Sequence, residues 1–290
     1  MTRSSAILTH RVTYQTNIKN TAATSLSNVQ IYVAIPPPFP PYQQLLVIKP
    51  QPAIGRQNNN RVGNHWLEFT CHRLSAQETF SCGYTALVRN RAVQYQLAAT
   101  TRNPPIPSQL HEYTKPEFFI ESHHHLIKDL AKEIAQNHPE LVPFVKAAMR
   151  RVTETIRYVP QRHEHGAAYA IEKGVGDCTE YAALLAALCR ARGIPARLIS
   201  GFASTGKQWE RHGWTEIWIR NHWIPVDPTW YGKSGWLGVT NRHLPIFVGN
   251  WMDIHTHQEF KVTWTQHPNT NRPRLSSAWK VSQVVGIQPR

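Results

Sequence analysis

Three side chains in the C-terminal half of the sequence have types and an order that suit nucleophilic chemistry. Cys178 sits in GVGDCTEYAALLAALC, residues 174–189, His212 opens HGWTEIWI, and Asp227 lies in WIPVDPTW. A cysteine that attacks a carbonyl needs an imidazole to take its proton and later hand it to the leaving group. It also needs a carboxylate to hold that imidazole's tautomer and support its positive form. Asp177 followed by Glu180 makes a capping-box start, so the predicted helix begins at Cys178. A helix N-terminus favours a thiolate over a thiol, and its free amides can also hold an oxyanion. Gly174 and Gly176 leave side-chain-free backbone just before the cysteine, where a substrate acyl group can approach. Taken alone, this segment reads more readily as a small apolar residue at the start of a core helix than as a nucleophile. Cys189, three turns further on inside the apolar run, reads as packing.

The elements that must position these groups are legible from periodicity. Tyr181, Leu184, Leu185 and Leu188 form a buried stripe, and Ala182, Ala183, Ala186 and Ala187 allow close approach of neighbours. Gly193 and Pro195 end the helix. Residues 196–203 (ARLISGFA) read as a strand, and 212–231 as a hairpin with its turn at Arg220 to His222. His212 and Asp227 then stand near the outer ends of the two arms. A two-residue turn is expected to set Asp227 opposite Glu216, and a longer loop or a bulge to bring it nearer His212. Upstream, 121–136 and 140–158 have helical spacing, with Pro143 in the first turn of the latter.

From Thr9 to about Thr101, short alternating runs separated by Asn, Pro and Gly clusters predict a β-sandwich. PPPFPPY at 36–42 lacks the amide hydrogens a central strand needs and is expected to be a connecting loop. The proline-rich stretch 102–110 reads as a linker, giving domains at 1–105 and 106–290, with a final strand and tail in 255–290.

Other features suggest less chemistry. His123, His124 and His125 lie in the predicted helix about 100° apart, so they cannot converge on one ion. His163 and His165, and His255 and His257, are better spaced but lack further ligands, and the four cysteines lack paired CxxC spacing. No metal is expected, and no glycine-rich phosphate loop suggests a nucleotide cofactor. Cys71 and Cys82 could pair across strands in an exported protein; reduced thiols are the default. Thirty-two Lys and Arg against eighteen Asp and Glu give a formal charge of +14. With no basic run interleaved with stacking aromatics, this reads as a basic surface and no nucleic-acid partner is expected. No stretch approaches eighteen apolar residues and the N-terminus lacks a signal-type apolar core, so no membrane span and a cytoplasmic location are expected. Trp230, Tyr231, Trp236 and Trp251 are candidates to wall a cleft.

The blocks GVGDCTEYAALLAALCRARGIPAR, HGWTEIWI and WIPVDPTW, in this order, resemble the transglutaminase-like superfamily over roughly residues 140–235. The resemblance implies an α+β fold with helices packed on an antiparallel sheet and a papain-like triad: Cys178 the nucleophile, His212 the base and acid, Asp227 the orienting carboxylate. It implies acyl chemistry on an amide of a peptide or protein substrate through a Cys178 thioester. Hydrolysis, as in a peptidase or amidase, is expected ahead of amine transfer. A non-catalytic peptide-binding module and an acyltransferase with a small-molecule donor are the remaining readings. Gly213 stands where family members often have alanine. The second oxyanion donor commonly comes from upstream of the cysteine, where proximity alone suggests Tyr169. The N-terminal region is similar, more loosely, to sandwich domains that precede such catalytic domains in bacterial proteins.

Overall fold

The structure is a computed structural model that describes residues 7–53, 56–60, 62–99, 105–249, 260–265 and 273–284. Its first seven strands are β1 (Ile7–Lys19), β2 (Leu26–Ile35), β3 (Gln43–Gln51), β4 (Arg56–Asn59), β5 (His65–Leu74), β6 (Thr79–Arg91) and β7 (Val93–Gln94). Then follow α1 (His125–Asn137), α2 (Leu141–Thr155), β8 (Arg157–Tyr158), α3 (Ala167–Lys173), β9 (Val175–Gly176) and α4 (Cys178–Ala191). The remaining elements are β10 (Ala196–Ser204), β11 (Trp209–Ile219), β12 (His222–Val226), α5 (Pro228–Tyr231), β13 (Gly238–Val239), β14 (His243–Val248), β15 (Phe260–Thr265) and β16 (Arg274–Gln283). The chain is thus a mixed α/β structure.

Helix α4 is the centre of the helical half. Every residue from Thr179 to Arg190 is buried, because its alanines let α1, α2, α3 and the sheet approach from all sides. Leu184, Leu185 and Leu188 are fully enclosed, and each contributes about 1.5–3 kcal/mol by leaving water. Gly193 adopts φ +75°, the left-handed conformation that stops the helix without Cβ strain. Thr215 Oγ1 donates to the Ala182 carbonyl at 2.9 Å, tying the helix to β11. Helix α1 begins at His125, four residues later than periodicity suggested, so His123 and His124 lie before it. Helix α2 ends at Thr155, where the chain turns into the short strand β8.

The sheet that packs on α4 has the order β14-β10-β11-β12-β13-β7. Residues Arg220 and Asn221, both at positive φ (51° and 65°), make a two-residue turn between β11 and β12, the geometry that matches strand twist in a tight hairpin. The register is Thr215 opposite Val226 and Glu216 opposite Pro225. The expected pairing of Asp227 with Glu216 is therefore corrected: His222 belongs to β12, not to the turn, and the ladder ends one residue before Asp227.

Two four-stranded sheets, ordered β16-β1-β6-β3 and β15-β2-β5-β4, carry most of the remaining chain and share one apolar cluster. β15 pairs with β2 and β16 with β1, both antiparallel. The last part of the chain thus contributes two strands, where a single strand and tail were expected. Hydrogen bonding joins both to N-terminal strands, whereas residues 255–290 are expected from the sequence to lie with 106–290. Residues 102–104 of the expected linker, and Trp251, His255 and His257, lie outside the described residues.

The loop 36–42 crosses from these sheets to the back of the helical half's sheet. Phe39 and Tyr42 pack with Trp214, Ile199 and Val239, and the Tyr42 hydroxyl donates to Oε1 of buried Glu216 at 2.8 Å. The other oxygen of Glu216 takes the Arg197 guanidinium. Strand β14 is gripped in the same way. His10, Gln43 and Asn90 bond the carbonyls of Asn241, Pro245 and His243, and Asn64 bonds both the amide and the carbonyl of Val248. Tyr42→Phe should leave one oxygen of a buried carboxylate without its donor and lower the unfolding free energy by about 1–3 kcal/mol, measurable by urea titration. An unchanged midpoint would show that the loop does not brace the sheet.

Candidate active site

Cys178 is the first residue of α4 and is half-buried. The turn before it is fixed from several directions. Asp177 caps the helix by accepting the Thr179 amide at 3.1 Å, and its other oxygen accepts the Gln161 amide at 3.1 Å. Glu180 returns to the Asp177 amide at 2.8 Å and also takes the His165 amide at 2.7 Å. Burial pushes the Glu180 carboxyl up to about 7, with those amide bonds opposing. A Cβ on Gly176 would lie 2.4 Å from that of Glu180, so only glycine fits there. The parallel pairing of Tyr158 with Gly176 holds the same segment from outside.

His212, buried on β11, donates from Nε2 to Oδ2 of Asp227 at 2.8 Å and stands close enough to Cys178 for the sulfur to influence its charge. With Nε2 taken by the carboxylate, Nδ1 is the nitrogen left for the sulfur. Burial alone would lower the His212 pKa. The charge and hydrogen bond of Asp227, assisted by Cys178, outweigh it and hold the imidazole well above its ordinary 6.5. Trp230 stacks on the ring at 4.9 Å and 27°.

Asp227 is fully buried where the chain leaves β12 and begins α5. Its Oδ1 caps that turn by accepting the amides of Thr229 at 2.9 Å and Trp230 at 3.2 Å. Burial works to raise its pKa, but the charge of His212 and the N–H groups around it hold the carboxyl well below the usual range.

A residue that sequence reasoning missed completes the cluster. His243 opens β14 and places Nε2 3.1 Å from Oδ2 of Asp227. Its Nδ1 accepts the Thr240 amide at 3.3 Å and lies 3.0 Å from the Thr240 hydroxyl. No motif marks this position; the available signal is a histidine heading an otherwise apolar strand in TNRHLPIF. Burial, the largest influence, keeps its pKa below 6.5 despite Asp227, and the His212 charge adds to that effect. The nearest ligand-type atoms of His212, Asp227 and His243 fall within 4.8 Å of one another. The two short contacts have hydrogen-bond lengths, and each leads from an imidazole N–H to the same carboxylate oxygen, so hydrogen bonding accounts for the cluster.

Other candidates sort by contact. Tyr169 stacks on His165 at 3.9 Å, whereas Tyr158, 52% exposed, has a hydroxyl that senses the Cys178 charge. Its pKa is pushed up to about 12, by burial first and then by Cys178, Asp177 and Glu210. His124 pairs with Glu172 at 3.1 Å. Tyr231 packs on Trp236 at 4.2 Å, while Trp230 is the aromatic that reaches His212. Cys189 is fully buried and its thiol is pushed well up by burial, Cys82 is pushed up to about 12 in the same way, and Cys71 and Cys82 are both free thiols.

Comparison with known proteins places this geometry in context. Residues 128–228 match the family model of the transglutaminase-like superfamily. A protein-glutamine gamma-glutamyltransferase of Pseudomonas aeruginosa is 31% identical over 35% of this chain and 18% of its own length. The chain thus spans less than a fifth of that relative. The crystal structure of a candidate cysteine protease from Cytophaga hutchinsonii superposes with a TM-score of 0.71 at 17% identity, covering 100% of this chain and 95% of that one. At that identity the likeness shows a shared fold. The periplasmic domain of TgpA from Pseudomonas aeruginosa aligns over 80% of this chain and 92% of its own at 17% identity, with a TM-score of 0.39.

The two shifted groups give stability a defined pH window. The contribution of His212 is complete below the free imidazole value of 6.5 and is lost as pH rises through the raised value. That of Asp227 is present above the ordinary carboxylate range and is lost as pH falls through the lowered value. Asp227→Asn should remove both flanks and let burial drive the His212 pKa below 6.5, read by imidazole NMR and by urea unfolding between about pH 3 and pH 10. A variant with the wild-type stability profile would show that the pair is not coupled.

Proposed function

We propose, for a chain whose residues 128–228 match the transglutaminase-like family model, that Cys178 is the nucleophile of an acyl-transfer enzyme acting on amide bonds of a peptide or protein. The observation that carries this reading is the chain of contacts from Asp227 through His212 to Cys178, at the N-terminus of a helix. His212 removes the thiol proton. The sulfur adds to the amide carbonyl, and the developing oxyanion is received at the N-terminus of α4 by the backbone amide of Cys178, since the Asp177 cap occupies the amides that follow it. When the tetrahedral adduct collapses, the carbon–nitrogen bond breaks, His212 returns the proton to the departing amine, and an acyl thioester remains on Cys178. His212 then deprotonates the acceptor, which attacks the thioester and restores the thiol.

Water is the acceptor we favour, giving a peptidase or amidase. Cys178 is half-buried and the rim residue Tyr158 is half-exposed, so the thioester stands where solvent reaches it. Amine transfer is the second reading, favoured by the name and 31% identity of the Pseudomonas aeruginosa relative over the matching segment. In either case we read the two sheets carrying β1–β6, β15 and β16 as a β-sandwich that braces the catalytic half through the 36–42 loop and β14.

Incubation with a peptide library, with and without a primary-amine probe, distinguishes these outcomes. Cleaved peptide or free carboxylate with no probe incorporated marks hydrolysis, and a probe-labelled acyl group marks transfer. Cys178→Ala should lower either product by about a thousand-fold or more. Wild-type and variant proteins forming product at the same rate would sink the triad reading and favour a binding module.

A further inference from the structure

We propose that His243 is a positioning residue for this site: a neutral imidazole that donates to Oδ2 of Asp227 and fixes the carboxylate for His212. The inference rests on the triad reading above and extends it to a residue outside the three sequence blocks.

The geometry defines what each nitrogen of His243 does. Nδ1 faces the backbone N–H of Thr240 at 3.3 Å and must accept from it. Nε2 therefore carries the hydrogen and points it at Oδ2 of Asp227, 3.1 Å away. The same oxygen receives Nε2–H of His212 at 2.8 Å, while Oδ1 receives the two α5 amides. Four donors thus converge on one buried carboxylate from three directions, and rotation of the carboxylate breaks bonds on both oxygens. With Oδ2 fixed, so is the His212 ring, and so is the nitrogen turned towards Cys178. His243 orients Asp227 without competing for the proton that His212 must move, because burial and the neighbouring His212 charge keep it neutral. The titratable groups facing the pair are Asp227, Cys178 and, beyond the carboxylate, Tyr231.

His243 is itself held from two sides. Its ring meets Trp214 edge-on at 5.3 Å and Trp230 at 4.9 Å. Its carbonyl accepts the side-chain amide of Asn90 from β6 at 2.9 Å. The N-terminal sheets therefore reach the reacting groups through one backbone carbonyl and one imidazole.

The test is the rate at which iodoacetamide alkylates Cys178 across pH, followed at that peptide by mass spectrometry, in wild type, His243→Leu and His243→Gln. Leucine fills the space without a donor, and the glutamine amide offers an N–H towards the same oxygen. Below neutral pH, His243→Leu should react about tenfold more slowly, the size of effect that outer partners exert on the groups they orient. His243→Gln should recover most of the rate. Imidazole NMR of the wild type should show His243 neutral and protonated on Nε2 across the range where Cys178 reacts. A reactive wild type with an equally reactive leucine variant, equal losses in both variants, or a cationic His243 would each overturn the inference alone. Wild-type Cys178 reacting below neutral pH no faster than Cys71 would instead overturn the triad reading beneath it.

Discussion

A buried carboxylate without solvent must be surrounded by donors or give up its charge. Asp227 meets that requirement with two backbone amides on one oxygen and two imidazole N–H groups on the other. Much of the architecture follows from it. The β12 ladder ends one residue before Asp227, so that α5 can begin with its amides directed at Oδ1. Strands β11 and β14 each deliver a histidine to Oδ2, and β10 lies between them in the sheet. The raised pKa of His212 is the other side of the same interaction: the carboxylate's charge is what lets a wholly buried imidazole carry a proton.

The cysteine is placed by a different device. Capping by Asp177 and Glu180, the glycine at 176 and the β8–β9 pairing lock the turn that precedes α4. The buried body of α4 leaves the helix no freedom to shift. Glu180 belongs to both the cap and the 161–165 loop, so the rim of the site is tied to the helix that Cys178 opens. The sheet then brings His212 to the end of that helix, with Gly213 lying against Thr179 and Cys178 closely enough that a Cβ there makes only ordinary contacts, 3.6–3.9 Å.

The N-terminal sheets do more than precede the helical half. β14 forms one edge of the six-stranded sheet, and side chains from β1, β3 and β6, together with Asn64, saturate backbone groups along and beside it that another strand would otherwise take. Leu244, Ile246 and Phe247 of this strand pack into the same cluster as the cores of those sheets. An edge covered this way is closed to further pairing, and the strand that bears His243 takes its position from both halves of the chain.

Local rules sufficed for helix α4. Its cap, its apolar stripe and its glycine stop all act within a turn or two, and the structure begins it at Cys178 as they require. The tight hairpin is equally local, although its register depends on which two residues of 220–222 make the turn, which composition does not specify. Helical spacing continues upstream through 122–124, where the backbone turns instead, so α1 starts at His125, later than its periodicity predicts. The C-terminal strands were harder to place because strand pairing acts at a distance: β16 finds β1 across more than two hundred residues.

The sequence by itself determined the order of cysteine, histidine and aspartate, the helix that presents the cysteine, and the hairpin that carries the other two near its outer end. Those features depend on side-chain type, spacing and nearest-neighbour geometry. Tertiary structure alone decided that Oδ2 of Asp227 faces two imidazoles, that burial holds the His243 pKa below its ordinary 6.5, and that Asn90, more than a hundred residues away, holds the His243 carbonyl. These outcomes depend on burial and on contacts between distant strands. A hydrogen bond that must be satisfied in the interior leaves no periodic trace along the chain.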